Sequence, residues 1–266
     1  MLAASAGAAA VAITDHDTVE GFSEGRAAAE HAGIEFVAGV EISAEFQPGT
    51  MHILGYCIDH ASNDLNSALE RLRHARRQRN PQIAARLQDL GLDIPYDEVV
   101  SLAGNEVVGR PHFASLMVRK GYVTTIKEAF DQFLAKGAPA YVEKERLSPA
   151  DSITLIHAAG GVAVLAHPYQ LKMNDQDTED QIRRLKDLGL DGIEAVYSRL
   201  SPAERERYIR LARDLGLLVT GGSDFHGTFK PDINLVKGLG DLEVPYELLA
   251  EIKTTVAARS TPPVGS

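Results

Sequence analysis

Residues 8–22, AAAVAITDHDTVEGF, set a run of small apolar side chains directly before Asp15, His16 and Asp17. A short apolar block bounded by a polar turn predicts a buried strand. Imidazole and carboxylate groups at its end predict a site there. The same signature recurs in GIEFVAGVEIS (33–43), TMHILGYCI (50–58), GVAVLAH (161–167), DGIEAVY (191–197) and LGLLVTGGSD (215–224). Helical patterns with credible ends lie between several of these blocks. Ser148-Pro149-Ala150-Asp151 opens a helix that closes at Gly160-Gly161, and Ser201-Pro202-Ala203-Glu204 opens another that closes at Gly216, with proline in the first turn and glycine just past the end. The alternation predicts an α/β fold with a parallel sheet and with functional side chains at the carboxyl ends of its strands.

Between about Asp59 and Arg146 the rhythm stops. SNDLNSALERLRHARRQRNPQIAARLQDLG reads as one long helix or a kinked pair around Pro81, and GRPHFASLMVRKG and TIKEAFDQFLAKG continue the helical pattern. The expected organisation is a barrel in two parts, residues 1–60 and 147–266, around an inserted helical subdomain at 61–146. The tail STPPVGS, residues 260–266, reads as a frayed terminus.

The chain has 266 residues, a formal charge of −10 and one cysteine, Cys57. The acidic balance argues against a surface made for general adhesion to nucleic acid or membrane, and a lone cysteine excludes an intrachain disulfide or a zinc ribbon. MLAASAGAAAVAI lacks the basic start of a signal peptide, and no stretch reaches the roughly 18 unbroken apolar residues of a membrane helix. A cytoplasmic protein without a membrane or a stable protein partner is expected.

Six residues stand beside the apolar blocks: His16, Glu41, His52, His167, Asp224 and His226. Mixed imidazole and carboxylate donors suit Zn, Mn or Fe, and a shared carboxylate can bridge two ions. Asp224 and His226, in GGSDFHG, would point the same way if their backbone were extended. A lone histidine at a strand end is ordinarily a hydrogen-bonded surface residue, and an Asp after Gly-Gly-Ser is commonly a turn former. Glu41 resists such a reading, because an unpaired glutamate within FVAGVEI would cost several kcal/mol to bury. His31, His60, His74 and His157 lack comparable company and are expected to be ordinary helix or loop residues. Asp15 and Asp17 are placed to orient His16 or to cap the helix that begins near Thr18.

AITDHDTVEGF, GVEIS, HILGY, VLAHP and GGSDFHG, in this order over nearly the whole chain, resemble the later motifs of the PHP (polymerase and histidinol phosphatase) metallophosphoesterases. The similarity is to the branch of 3',5'-nucleoside bisphosphate phosphatases and RNase AM, which carry a helical insertion between the HILGY and AHP motifs. The resemblance implies a distorted (β/α)7 TIM-like barrel with up to three divalent ions, Mn2+, Zn2+ or Fe2+. By the same resemblance His16 and His226 serve one ion, Glu41, His52 and His167 a second, and Glu41 with Asp224 a third. Such proteins begin with a strand bearing D-x-H-x-H-[ST] and then S-D-G, and no such segment precedes TDHD in this sequence. The first strand of the barrel is accordingly expected to be missing. The Glu41, His52, His167 set alone would stay complete, with fewer ions than the family holds.

The implied activity is hydrolysis of a small phosphorylated substrate: a 3',5'-nucleoside bisphosphate, an AMP-like nucleotide or the 5' end of a short RNA. Glu41, His226 and Arg110 are the implied catalytic residues. RLRHARRQRN, residues 71–80, concentrates arginines in an acidic chain, and GRPH places Arg110 beside His112; guanidinium forks match phosphate oxygens in pairs. Similar proteins use R-x-x-R-N and G-R-x-H near the substrate, which selects Arg76, Arg79, Asn80, Arg110 and His112. The rest of the arginine run reads equally well as a solvated face paired with Glu70 and Asp89. Two other readings stand beside this one: a truncated, weakly active or inactive metal-binding relative, and an amidohydrolase-like barrel that cleaves C–N bonds.

Overall fold

The computed structural model describes residues 1–104 and 107–260, the side chain of Ser260 apart; the final residues of the STPPVGS tail lie outside them. The strands are β1 (Ala10–Ile13), β2 (Glu35–Ala44), β3 (Met51–Tyr56), β4 (Val162–Leu165), β5 (Gly192–Tyr197) and β6 (Leu218–Gly222). They form one sheet in the order β1-β2-β3-β4-β5-β6. Each predicted apolar block has become a strand. The helices are α1 (Leu2–Ser5), α2 (Phe22–Ala32), α3 (Asn63–Asp89), α4 (Tyr96–Ala103), α5 (Arg110–Arg119), α6 (Ile126–Ala129), α7 (Pro149–Ala158), α8 (Asp175–Asp187), α9 (Pro202–Asp214) and α10 (Tyr246–Ser260). The class is α/β and the sheet is a curled part of a distorted TIM-like barrel, with six strands among the described residues.

The sheet is not wholly parallel. β3 runs antiparallel to both β2 and β4, whereas β1–β2, β4–β5 and β5–β6 are parallel. The reason is connection length: residues 45–50 between β2 and β3 are too few for a parallel crossover, which takes a dozen or more residues. His52 therefore stands at the start of its strand, and the reversal brings that start level with the carboxyl ends of the strands that run the other way. Strand β2 serves two partners. Its first half pairs with β1 and its second half with β3. Gly39 sits at the changeover, where a Cβ would lie 2.7 Å from Thr14 and 3.0 Å from the Gly55 carbonyl.

Alternation along β2, β3 and β4 sends Val37, Leu54, Tyr56, Val162, Val164 and Ala166 to one face as a buried cluster. Helix α10 covers it with Leu249, Ile252 and Val256, spaced three and four apart as one helical stripe requires. Helices α7 and α9 begin at the predicted caps. Ser148 Oγ accepts the Asp151 N–H at 3.0 Å, and Ser201 with Glu204 forms a reciprocal capping box.

The chain divides into two compact units, Met1–Ala68 with Arg146–Ser266, and Leu69–Glu145. The second has its own apolar core, including Ile83, Leu87, Ile94, Val99, Phe113, Met117 and Leu134, and carries no strand among the described residues. Helix α3 is continuous through Pro81, so the kinked-pair alternative is not adopted. No helix among the described residues is long and apolar enough to cross a membrane.

Candidate metal centre

Three strand connections and two strands deliver the predicted donors to one rim of the first unit. Beyond Ile13 the backbone stays beside β2: the Glu41 N–H donates to the Asp15 carbonyl at 3.1 Å and the Asp17 N–H to the Glu41 carbonyl at 3.0 Å. That ladder sets His16 beside Glu41. On β3, His52 pairs with Ser43, two residues from Glu41 and therefore on its face of the sheet. His167 follows β4 in a left-handed conformation, with φ at 27°.

The Glu41 carboxylate is the hub. It is only 5% exposed. His52 Nδ1 lies 2.6 Å and His167 Nε2 3.0 Å from its Oε1, and His16 Nδ1 lies 3.4 Å from its Oε2. The two imidazole nitrogens on Oε1 are themselves 3.4 Å apart. Burial pushes the Glu41 carboxyl up, but the charges of His16 and His52 and the hydrogen bonds from His167 and His52 outweigh it and hold the group well below the usual range. His167 is displaced oppositely: burial lowers it, and Glu41, Glu194 and Asp224 together raise it.

The donor set fits a divalent cation. Ligand atoms of His16, Glu41 and His52 all lie within 4.8 Å of one another, and bonds of about 2.0–2.2 Å place neighbouring donors roughly 3 Å apart. His167 Nδ1 is buried and has no hydrogen-bond partner among the described residues. A group of three imidazoles turned toward one buried carboxylate is poor packing for an apolar core and good packing for a metal.

Asp224 and His226 form the second part of the rim. The His16 and His226 rings are 5.9 Å apart between centroids. Asp224 has φ at 54°, so the GGSDFHG segment turns sharply and the expected extended alternation is absent. The turn itself places His226 Nδ1 3.2 Å from Asp224 Oδ1. Burial raises the Asp224 carboxyl, but Lys230 leads the cations that hold it down.

Sequence reading missed three residues here, Glu194, Tyr197 and Lys230. Glu194, 4% exposed in the middle of β5, accepts the His167 N–H at 2.9 Å. Burial, reinforced by Asp224 and Glu41, pushes its carboxyl up to about 8. Its signal was present: GIEAVY buries a glutamate in an apolar block as FVAGVEI does. Tyr197 donates its hydroxyl to Asp224 Oδ2 at 2.7 Å, and Lys230 Nζ meets the same oxygen at 2.5 Å. Asp17, expected to orient His16 or to cap a helix near Thr18, is fully buried and accepts the Ser43 N–H at 3.0 Å, which binds the segment after β1 to the end of β2; the helix begins later, at Phe22. Of the histidines expected to be ordinary, His157 pairs with Asp191 at 2.8 Å and His74 with Gln78 at 2.8 Å.

The second unit gathers the arginine set. Arg76, Arg79, Asn80 and His112 are all at least nine-tenths buried. Arg79 Nε donates to Asn80 Oδ1 at 3.0 Å, and Asn80 Nδ2 donates to the Val108 carbonyl at 2.9 Å. His112 Nδ1 accepts the Gly109 N–H at 2.9 Å, and a Cβ on Gly109 would lie 3.6 Å from Arg76 Nη1. Arg110 donates to the Leu134 carbonyl at 3.0 Å, its guanidinium 5.6 Å from the Phe130 ring centroid and 5.3 Å from that of Tyr141. Arg73 and Arg77 instead pair with Glu70 at the surface, as the solvated-face reading expects.

No family model matches the chain. It is 34% identical over 216 residues to a 5'-3' exoribonuclease of Haemophilus influenzae, covering 81% of this chain and 78% of the relative. It is 35% identical over 225 residues to a 3',5'-nucleoside bisphosphate phosphatase of Chromobacterium violaceum, covering 84% and 79%. A solved structure from Bifidobacterium adolescentis, described as a metal-dependent phosphoesterase, superposes with a TM-score of 0.83 at 30% identity, covering 99% of this chain and 90% of that one. With relatives this similar over most of both lengths, the chain belongs to the PHP family of metal-dependent phosphoesterases.

Proposed function

We propose that the chain hydrolyses phosphate esters of nucleotides, either a 3',5'-nucleoside bisphosphate or an AMP-like monoester, or trims the 5' end of a short RNA. The observation that carries this reading is the buried Glu41 carboxylate with two imidazole nitrogens on one oxygen and a third facing the other. The names of the phosphatase and exoribonuclease relatives support the substrate class.

We assign His16, Glu41, His52, His167, Asp224 and His226 as donors to divalent ions, Mn2+, Zn2+ or Fe2+. Bound there, such ions supply a water of lowered pKa and polarise the phosphoryl oxygens. The chain's own side chains orient the reaction. Glu41 divides its two oxygens between the His16 side and the His52–His167 side, a disposition that suits a bridging ligand. Glu194 fixes the backbone of His167, and Asp17 fixes the strand that carries Glu41. His226 keeps Nδ1 against Asp224, which leaves its other ring nitrogen as the donor atom for an ion. We further assign a catalytic role to Arg110 and substrate binding to Arg76, Arg79, Asn80 and His112, on the ground that guanidinium forks match phosphate oxygens. The helical residues 61–146 are the subdomain that supplies this set, and the cytoplasm is the setting that suits its single free cysteine.

Purified protein supplied with Mn2+ is expected to release phosphate from adenosine 3',5'-bisphosphate, or mononucleotides from a 5'-phosphorylated oligoribonucleotide. Turnover of amides or lactams with no release from any phosphate ester would overturn the proposal.

A further inference from the structure

Beside the Glu41 cluster stands an aromatic surface that no step above uses. Tyr169 is 39% exposed, in a short 3-10 turn from Pro168 to Leu171 directly after His167. One face of its ring rests on Tyr197, with centroids 5.7 Å apart and planes inclined by 27°; the His167 ring lies 6.4 Å away, edge to face. Tyr197 is itself buried and held to Asp224 through its hydroxyl.

The turn is rigidly placed. Its neighbour Leu171 is 1% exposed, and the Thr50 N–H donates to the Gln170 carbonyl at 2.9 Å. Gly49 packs so tightly on the turn that a Cβ there would stand 2.1 Å from the Gln170 carbonyl oxygen. A tyrosine ring backed by a second ring, anchored through its backbone and open to solvent, loses little conformational entropy when a flat group settles on it. A ring one stack away from a metal ligand's neighbour suits the base of a nucleoside whose phosphate lies at the metals.

We infer that Tyr169 is a stacking platform for the substrate's nucleobase, so that the site selects nucleoside phosphates over base-free phosphate esters. The inference rests on the phosphoesterase reading and names the part of the substrate that the reading leaves unassigned. Stacking of a base on an aromatic side chain changes binding by roughly 5- to 150-fold on alanine substitution.

The test compares wild type, Tyr169→Ala and Tyr169→Phe on adenosine 3',5'-bisphosphate and on ribose 3,5-bisphosphate, which lacks the base. KM for the nucleoside is expected to rise about tenfold in Tyr169→Ala, with kcat and the base-free KM near wild type and with Tyr169→Phe restoring the wild-type value. Equal losses on both substrates, or an unchanged nucleoside KM, would overturn the inference. Equilibrium binding of the same two ligands to the metal-loaded proteins separates this from the parent reading. A wild type that turns over neither ester but binds the nucleoside more weakly after Tyr169→Ala overturns the phosphatase and keeps the platform. Equal binding by both proteins, or none by wild type, overturns the platform.

Discussion

Asp17 Oδ1 accepts the backbone N–H of Ser43 at 3.0 Å, closing a bond between the residue after His16 and the residue two beyond Glu41. Both residues are buried, and Asp17 adopts φ of 56° to make the contact, a left-handed conformation that aspartate tolerates better than most side chains. Asp17→Ala leaves a buried N–H unpaired, which costs about 1–3 kcal/mol. Because the same bond keeps two donors in register, metal affinity is expected to fall roughly 10- to 100-fold. Denaturant unfolding and metal titration of one variant measure both effects; unchanged metal affinity would show that the clamp is purely structural.

Lys230 pairs with Oδ2 of Asp224, a residue assigned as a metal donor. Lys230→Met removes that competing charge. Mn2+ binding is expected to tighten by roughly fivefold, the equivalent of about 1 kcal/mol for a partly exposed pair. Titration calorimetry decides it, and weaker binding in the variant would mean that the ammonium supports the ion.

Arg110 offers a planar fork, which lysine cannot reproduce. Arg110→Lys is expected to lower kcat/KM for a nucleoside bisphosphate about 100-fold, the scale of losing one donor to a developing phosphoryl charge. A parallel melting curve reports separately on the Leu134 hydrogen bond and the aromatic contacts that the guanidinium also makes. A variant with full activity would remove Arg110 from the catalytic set.

Asp191 joins three elements of the first unit: it accepts the Ala163 N–H of β4 at 2.7 Å, meets His157 of α7 at 2.8 Å and pairs with Arg259 of α10. Burial raises its carboxyl, but Arg259, the Ala163 N–H and His157 together pull it below the ordinary value. A carboxyl depressed in the folded state binds fewer protons there than when unfolded. Its contribution is therefore full above the unfolded value near 3.9 and is lost as pH falls through the lower folded value. Asp191→Asn should cost about 2 kcal/mol at neutral pH, with the gap to wild type closing in strong acid. Denaturation midpoints from pH 7 down to the acid limit give the curve, and a gap independent of pH would refute it.

What was legible followed from local chemistry. Apolar blocks bounded by polar turns located all six described strands, and Ser-Pro and Gly signals placed both ends of α7 and α9. Glu41 was readable because its burial demanded a partner. Strand direction was not readable, since alternation is the same whichever way a strand runs; the short 45–50 link was the clue that β3 reverses. The left-handed Asp224 escaped because a turn after two glycines can be entered in several ways. Tyr197, Lys230 and Asp17 act through partners 27, 6 and 26 residues away, and nothing in a local pattern announces such pairs. Glu194, a glutamate within the apolar block GIEAVY, was open to the argument applied to Glu41.

The most direct test of the account is metal content. Wild type and Glu41→Gln, each stripped of metal and equilibrated with Mn2+, are compared by elemental analysis, with circular dichroism confirming that both are folded. Wild type should retain at least one ion per chain and Glu41→Gln close to none. Equal occupancy in both proteins, or none in either, would contradict a metal centre built on Glu41.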